Sequence, residues 1–163
     1  MYIIIDSREK PKAISNIIKY FDAHGIQHET SKLLFGDYID YKHPELAIDR
    51  KQNIAELAKN CTREHIRFRA ELERAKRTGS EIVILVEQNR YKDRGETVIV
   101  QDIADLIRWE SPHTQVRGEK IFRVLASWRA QYPLSIEFCD KRATGRRIIE
   151  ILSNRRTGAH NGR

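Results

Sequence analysis

The chain has 163 residues, 40% apolar and 33% charged, the balance expected of a single water-soluble domain with one hydrophobic core. It contains no run of about 18 apolar residues to cross a membrane, and MYIIID is too short and too soon closed by an acid to serve as a signal peptide, so a cytoplasmic protein is expected. The net charge of +7 favours a polyanionic partner.

Hydrophobic periodicity predicts an α/β domain with a mixed central sheet flanked by helices. Tyr2 to Ile5 reads as a buried strand, and Ile14, Ile17, Ile18 and Phe21 recur at helical spacing in a segment that ends at His24-Gly25. Ile26 to Thr30 is expected to begin an antiparallel part, continued by strands at Leu33 to Asp40 and Leu46 to Arg50 across the turn Lys42-His43-Pro44-Glu45. Ile54 to Arg77 reads as helix, broken around Asn60-Cys61-Thr62 with Thr62 capping the restart. Glu81 to Val86, a continuous apolar run between turn residues, fits a buried central parallel strand. Arg90 to Glu96 reads as a charged loop, Val100 to Trp109 and Gly118 to Gln131 as helices, Leu134 to Phe138 as a strand and Thr144 to Ser153 as a closing helix. The segment Glu110 to Arg117 is expected to be a connector, and residues 156–163 a basic, disordered tail after a domain over residues 1–155.

Cys61 and Cys139 stand far apart without partners at ligand spacing, which argues against a zinc site or a disulfide framework. Trp109 and Trp128 read as core residues. Tyr38 and Tyr91 are better placed to meet a nucleotide, with packing as the simpler reading. No glycine-rich phosphate loop is present, so ATP use is not indicated.

The chemistry concentrates in Asp37, Asp49 and Lys51. Asp49 and Lys51 are two residues apart in a strand, so their side chains leave the same face. Antiparallel pairing brings Asp37 near Asp49, and two carboxylates suit a hard divalent cation such as Mg2+ or Mn2+. A cation there polarises a phosphodiester and lowers the pKa of water, while a neighbouring lysine orients that water or steadies negative charge. Each residue also has a plain structural reading: Gly36-Asp37 as a turn, Asp49 and Lys51 as an ion pair, Asp6 as a helix cap. Downstream, Arg63, Arg67, Arg69, Arg74, Lys76 and Arg77 face only three glutamates over residues 63–77. Such a helix can follow a phosphate backbone or simply form a solvated face.

The ordered segments IIIDSREKP, LLFGDYID and LAIDRKQNIAEL resemble the nuclease domain of the XPF-type structure-specific endonucleases, with a restriction-endonuclease-like core, over roughly residues 1–155. The resemblance implies Asp37 and Asp49 as metal ligands, the Arg50 backbone carbonyl as a third, and Lys51 as the catalytic lysine. It also brings in Asp6, Arg8 and Glu9 as an acidic motif, Glu9 reaching the cation through water and Arg8 holding the phosphate. Arg63, Arg67, Arg69, Lys76 and Arg77 are then the expected nucleic-acid contacts. Two positions depart from the family pattern: Asp49 replaces its glutamate, and Ala55 replaces an acid that Glu56 offers one place later, about 100° further round a helix. Helix-hairpin-helix modules are not expected after residue 155. The implied activity is hydrolysis of branched or duplex DNA, with location in nucleoid or nucleus when bound and a homodimer as one possible assembly. The rival readings are a nuclease-like binding module that does not cut, and a junction resolvase or restriction-type enzyme on the same core.

Overall fold

In a computed structural model that describes residues 1–158, the chain runs β1 (Tyr2–Asp6), α1 (Pro11–Ala23), β2 (Gln27–Ser31), β3 (Tyr38–Asp40), β4 (His43–Lys51), α2 (Ile54–Cys61), α3 (His65–Arg77) and β5 (Glu81–Val86). It continues as β6 (Arg90–Asp93), β7 (Glu96–Ile99), a 3-10 turn at Ile103–Leu106, α4 (Gly118–Gln131), β8 (Leu134–Phe138) and α5 (Thr144–Gly158). Six strands form one mixed sheet in the order β2-β1-β3-β4-β5-β8, and β6 and β7 pair separately. The α/β class and the mixed sheet flanked by helices are those expected.

Strand alternation divides the core into two layers. Ala47 of β4 and Ile82, Ile84 and Val86 of β5 pack with residues of α2, α3 and α4. Leu46, Ile48, Val83 and Leu85 turn the other way and pack with α1 and α5. Both faces of β5 are therefore covered, which is why its sequence is continuously apolar.

Several elements differ from expectation. The β2 strand pairs parallel to β1, because α1 is a crossover helix that returns the chain in the same direction. The strand expected over Leu33 to Asp40 forms only at Tyr38–Asp40, since Gly36 takes φ +71° and breaks extended structure ahead of it. The α2–α3 break occurs as predicted, but Thr62 does not cap α3. Its hydroxyl donates back to the Ala58 carbonyl at 2.7 Å, and Glu64 is the N-cap residue. The charged loop is a β-hairpin whose turn residues Arg94 and Gly95 both have positive φ. The helix expected at Val100 to Trp109 is a single 3-10 turn opened by an Asp102–Asp105 capping box. The chain then turns away so that Gly118 can approach the Leu106 carbonyl, where a Cβ would stand 1.6 Å from the oxygen. The helix α5 runs on to Gly158, and the remainder of the expected tail lies outside the described residues.

Candidate active site at the carboxyl ends of the strands

The strands β1, β4, β5 and β8 point the same way, so Asp6, Lys51 and Glu87 gather at one edge of the sheet. Open α/β sheets place their ligands outside the carboxyl ends of such strands. The antiparallel β3 starts from this same edge, which puts Asp37 among them.

Asp37 is fixed by backbone. Its N–H donates to the Ile48 carbonyl at 2.7 Å, and its Oδ2 accepts the Arg50 N–H at 2.7 Å. The side chain thus continues the β3–β4 ladder beyond the last strand pair. An extended residue sends its N–H and C=O toward the same edge, so the Arg50 carbonyl faces the Asp37 side of β4. Gly36 permits this approach: a Cβ there would lie 2.9 Å from that of Ala47, and its N–H donates to Glu71 of α3 at 2.8 Å.

Asp49 and Lys51 share one face of β4, as the spacing predicts. Both are nearly buried. Lys51 Nζ donates to Asp49 Oδ1 at 3.0 Å and lies 2.8 Å from Oδ2, which is buried and accepts no hydrogen bond of good geometry. The ammonium also stands 5.3 Å from the centre of the Phe68 ring. Burial pushes the Asp49 carboxyl up to about 6 against the attraction of Lys51, with Glu71 and Glu56 adding repulsion. Loss of hydration, then the charges of Asp49 and Glu9, hold Asp37 well above the usual carboxylate range. Burial works against the Lys51 ammonium, but Asp49 and then Asp37 outweigh it and raise its pKa. Lys51 is therefore a fixed cation at neutral pH.

On the opposite sheet face, Arg50 is buried between two acids. Its Nε donates to Glu9 at 2.8 Å and its Nη1 to Glu87 at 3.0 Å, while the Tyr38 hydroxyl donates to Glu9 at 3.0 Å. This network ties the end of β1 to β4 and β5. Asp6 is not a helix cap, since Lys10 occupies that position of α1. The fully buried Asp6 carboxylate instead accepts from the Arg8 side chain at 2.6 and 3.0 Å and from the Leu33 N–H at 2.8 Å, holding the loop that leads to Gly36. Burial opposes its ionisation, but the Arg8 bond and the backbone donors keep its pKa low. Arg8 itself is exposed.

The cations over residues 63–77 differ in what they touch. Arg69 donates to the Tyr132 hydroxyl at 3.1 Å and Lys76 to the Gln131 carbonyl at 2.9 Å, so both serve the junction of α3 with the end of α4. Arg74 faces the loop that leads to Gly36, donating to the Leu34 carbonyl at 3.3 Å. Arg67 pairs with Glu64 at 2.8 Å, and Arg63 and Arg77 are exposed. Tyr38 is fully buried and cannot reach a nucleotide, and Tyr91 is spent on the Asp105 carbonyl at 2.7 Å. Trp109, Trp128 and both free cysteines are buried.

Glu71 and Glu87 were given no role by sequence. The available signal for Glu87 was its position immediately after an apolar parallel strand; for Glu71 it was an acid next to Leu72 on the helix covering the site. Among the described residues, no three His, Cys, Asp or Glu side chains form a ready-made metal cage.

A mixed sheet with carboxylates and a lysine converging at its carboxyl edge is the restriction-endonuclease-like nuclease fold. A model described as the ERCC4 domain matches residues 5–151, and the chain belongs to that family. The solved structure of XPF from Aeropyrum pernix superposes with a TM-score of 0.64 at 16% identity, covering 98% of this chain and 66% of that one. The XPF from Aeropyrum pernix in complex with DNA gives 0.62 at 16% identity, covering 99% and 68%. The chain thus spans about two thirds of the length of these structural relatives. No curated protein matches its sequence.

Proposed function

We propose that this domain is a Mg2+- or Mn2+-dependent endonuclease that hydrolyses DNA phosphodiesters, with branched, flap or fork DNA as its preferred substrate. The observation that carries the reading is the convergence of Asp37, Asp49 and Lys51 at one edge of the sheet, with a buried Asp49 oxygen that accepts no hydrogen bond of good geometry. Hard oxygen donors in an environment that resists two negative charges fit a hard divalent cation, which Asp37, Asp49 and the Arg50 carbonyl would hold. The chemistry such an ion supplies is Lewis-acid polarisation of the phosphodiester and acidification of water.

The protein groups do the rest. Lys51, charged and held beside Asp49, orients the nucleophile and steadies negative charge at phosphorus. It acts by charge and hydrogen bonding, because a lysine with a raised pKa is no base near neutrality. Arg8, exposed yet anchored on Asp6, offers its guanidinium to the scissile phosphate. Glu9 is engaged by Arg50 and Tyr38, which makes it a positioning group for this edge. The expected products carry 5′-phosphate and 3′-hydroxyl ends.

Support also comes from the family membership and from the fold shared with an XPF solved in complex with DNA. The test combines calorimetric titration of Mn2+ with cleavage of labelled duplex, flap and fork DNA, for wild type and Asp37→Asn. Saturable cation binding and cleavage, both lost in the variant, are expected. Equal cation binding by the two proteins would overturn the ligand assignment, and absence of cleavage by wild type would leave a DNA-binding module that does not cut.

A further inference from the structure

A cleft of about 720 Å³ runs along α2. One wall begins at Gln52, directly after Lys51, and continues through Ala55 to Lys59 and Arg63. The other is the connector between the 3-10 turn and α4, with Ser111 and His113 facing α2. We propose that this cleft is a strand-binding track: it holds the phosphates of the DNA strand that flanks the scissile bond on one side.

Charge is the first ground. Lys59 and Arg63 are exposed, and neither engages an acid among the described residues. Glu64, the acid beside Arg63, is already occupied by Asn60 at 3.2 Å and Arg67 at 2.8 Å. The cleft's own acid, Glu56, lies at its catalytic end and is held by the Gln52 N–H at 2.7 Å. Two uncommitted cations in a concave wall are the arrangement that phosphates neutralise, and His113 adds a donor from across the cleft.

Shape is the second. The far wall is ordered by its own bonds: the Ser111 N–H donates to the Val116 carbonyl at 3.0 Å, and Ser111 Oγ accepts from the Thr114 N–H at 3.1 Å. The eight residues of α2 span about 12 Å, enough for about three nucleotides of a stacked strand. Ala55 and Ala58 give the wall between Glu56 and the two cations an uncharged surface that does not repel phosphate.

The inference rests on the nuclease reading, but its test does not require cleavage. Affinity for labelled DNA is measured by anisotropy in chelator, for wild type, Lys59→Ala/Arg63→Ala and the control Lys19→Ala on the opposite sheet face. The DNA carries flanks on both sides of the branch, or lacks the 5′ or the 3′ flank. The double variant should bind at least tenfold more weakly, with its log-log salt slope smaller by roughly 1.4 to 1.8, as two lost phosphate contacts require. Trimming one flank, and only one, should weaken wild type and abolish the difference between the proteins. With Mg2+ present, the same variant should raise KM and leave kcat within twofold. Wild-type affinity in the double variant, or a penalty that persists on both the DNA lacking the 5′ flank and the DNA lacking the 3′ flank, would overturn the track. Wild type that binds with these flank effects yet cuts nothing would overturn the nuclease reading alone.

Discussion

Asp49→Asn tests the electrostatics of the site without any substrate. The buried Asp49 carboxyl titrates at about 6 against an ordinary 3.8, so folding favours its protonated form. That stabilisation is fully present below about pH 4 and is lost as pH rises through about 6. The interval, at about 1.4 kcal/mol per pH unit, corresponds to about 3 kcal/mol. Asparagine mimics the protonated acid and still accepts from Lys51, so the variant escapes the cost. In chelator, urea unfolding should show the two proteins equal near pH 3.5 and Asp49→Asn more stable by about 3 kcal/mol at pH 8, or about 10 °C in Tm. Mn2+ should then stabilise wild type and not the variant. A variant less stable than wild type at pH 8 in chelator would refute the reasoning, because it would mean that the Lys51 attraction outweighs burial.

Gly36→Ala must place a Cβ at positive φ against Ala47 and the Ile48 carbonyl, and should cost about 2 to 3 kcal/mol in urea unfolding while lowering cleavage through Asp37. Glu87→Gln removes one of the two charges facing buried Arg50; a loss of about 2 kcal/mol is expected, partly recovered when Arg50→Met is added, and a double-mutant cycle measures that coupling. Arg69→Ala and Lys76→Ala should leave DNA affinity within twofold, since both side chains serve the α3–α4 junction, whereas Arg63→Ala should weaken binding and reduce the salt slope by about 1 in an anisotropy titration.

The site's axis was readable because it depends on short-range rules. Two residues in one strand share a face, which places Asp49 with Lys51, and a glycine before Asp37 marks the turn that brings it across. The role of Arg50 was less visible. Its side chain leaves the other face of β4, and its partners come from β1 and β5, so nothing local announces the buried pairs with Glu9 and Glu87. Charge density on α3 could not by itself separate Arg69 and Lys76 from Arg74, because the separation is made by what packs on each side of the helix. The direction of β2 was legible in principle, since a helix as long as α1 between two strands calls for a parallel return. The hairpin at β6 and β7 was masked by its charges: of its apolar residues only Tyr91 and Val98 turn inward, and Arg94-Gly95 is a weaker turn signal than Asn-Gly.

Whether the assembly at the sheet's carboxyl edge cuts DNA is decided most directly by Lys51→Ala. On end-labelled flap, fork and plain duplex DNA with Mg2+, wild type is expected to cut branched substrates and to stop in chelator. The variant should bind the same DNA with affinity within a few fold and produce no cleavage above background. Cleavage by Lys51→Ala at the wild-type rate would contradict the account.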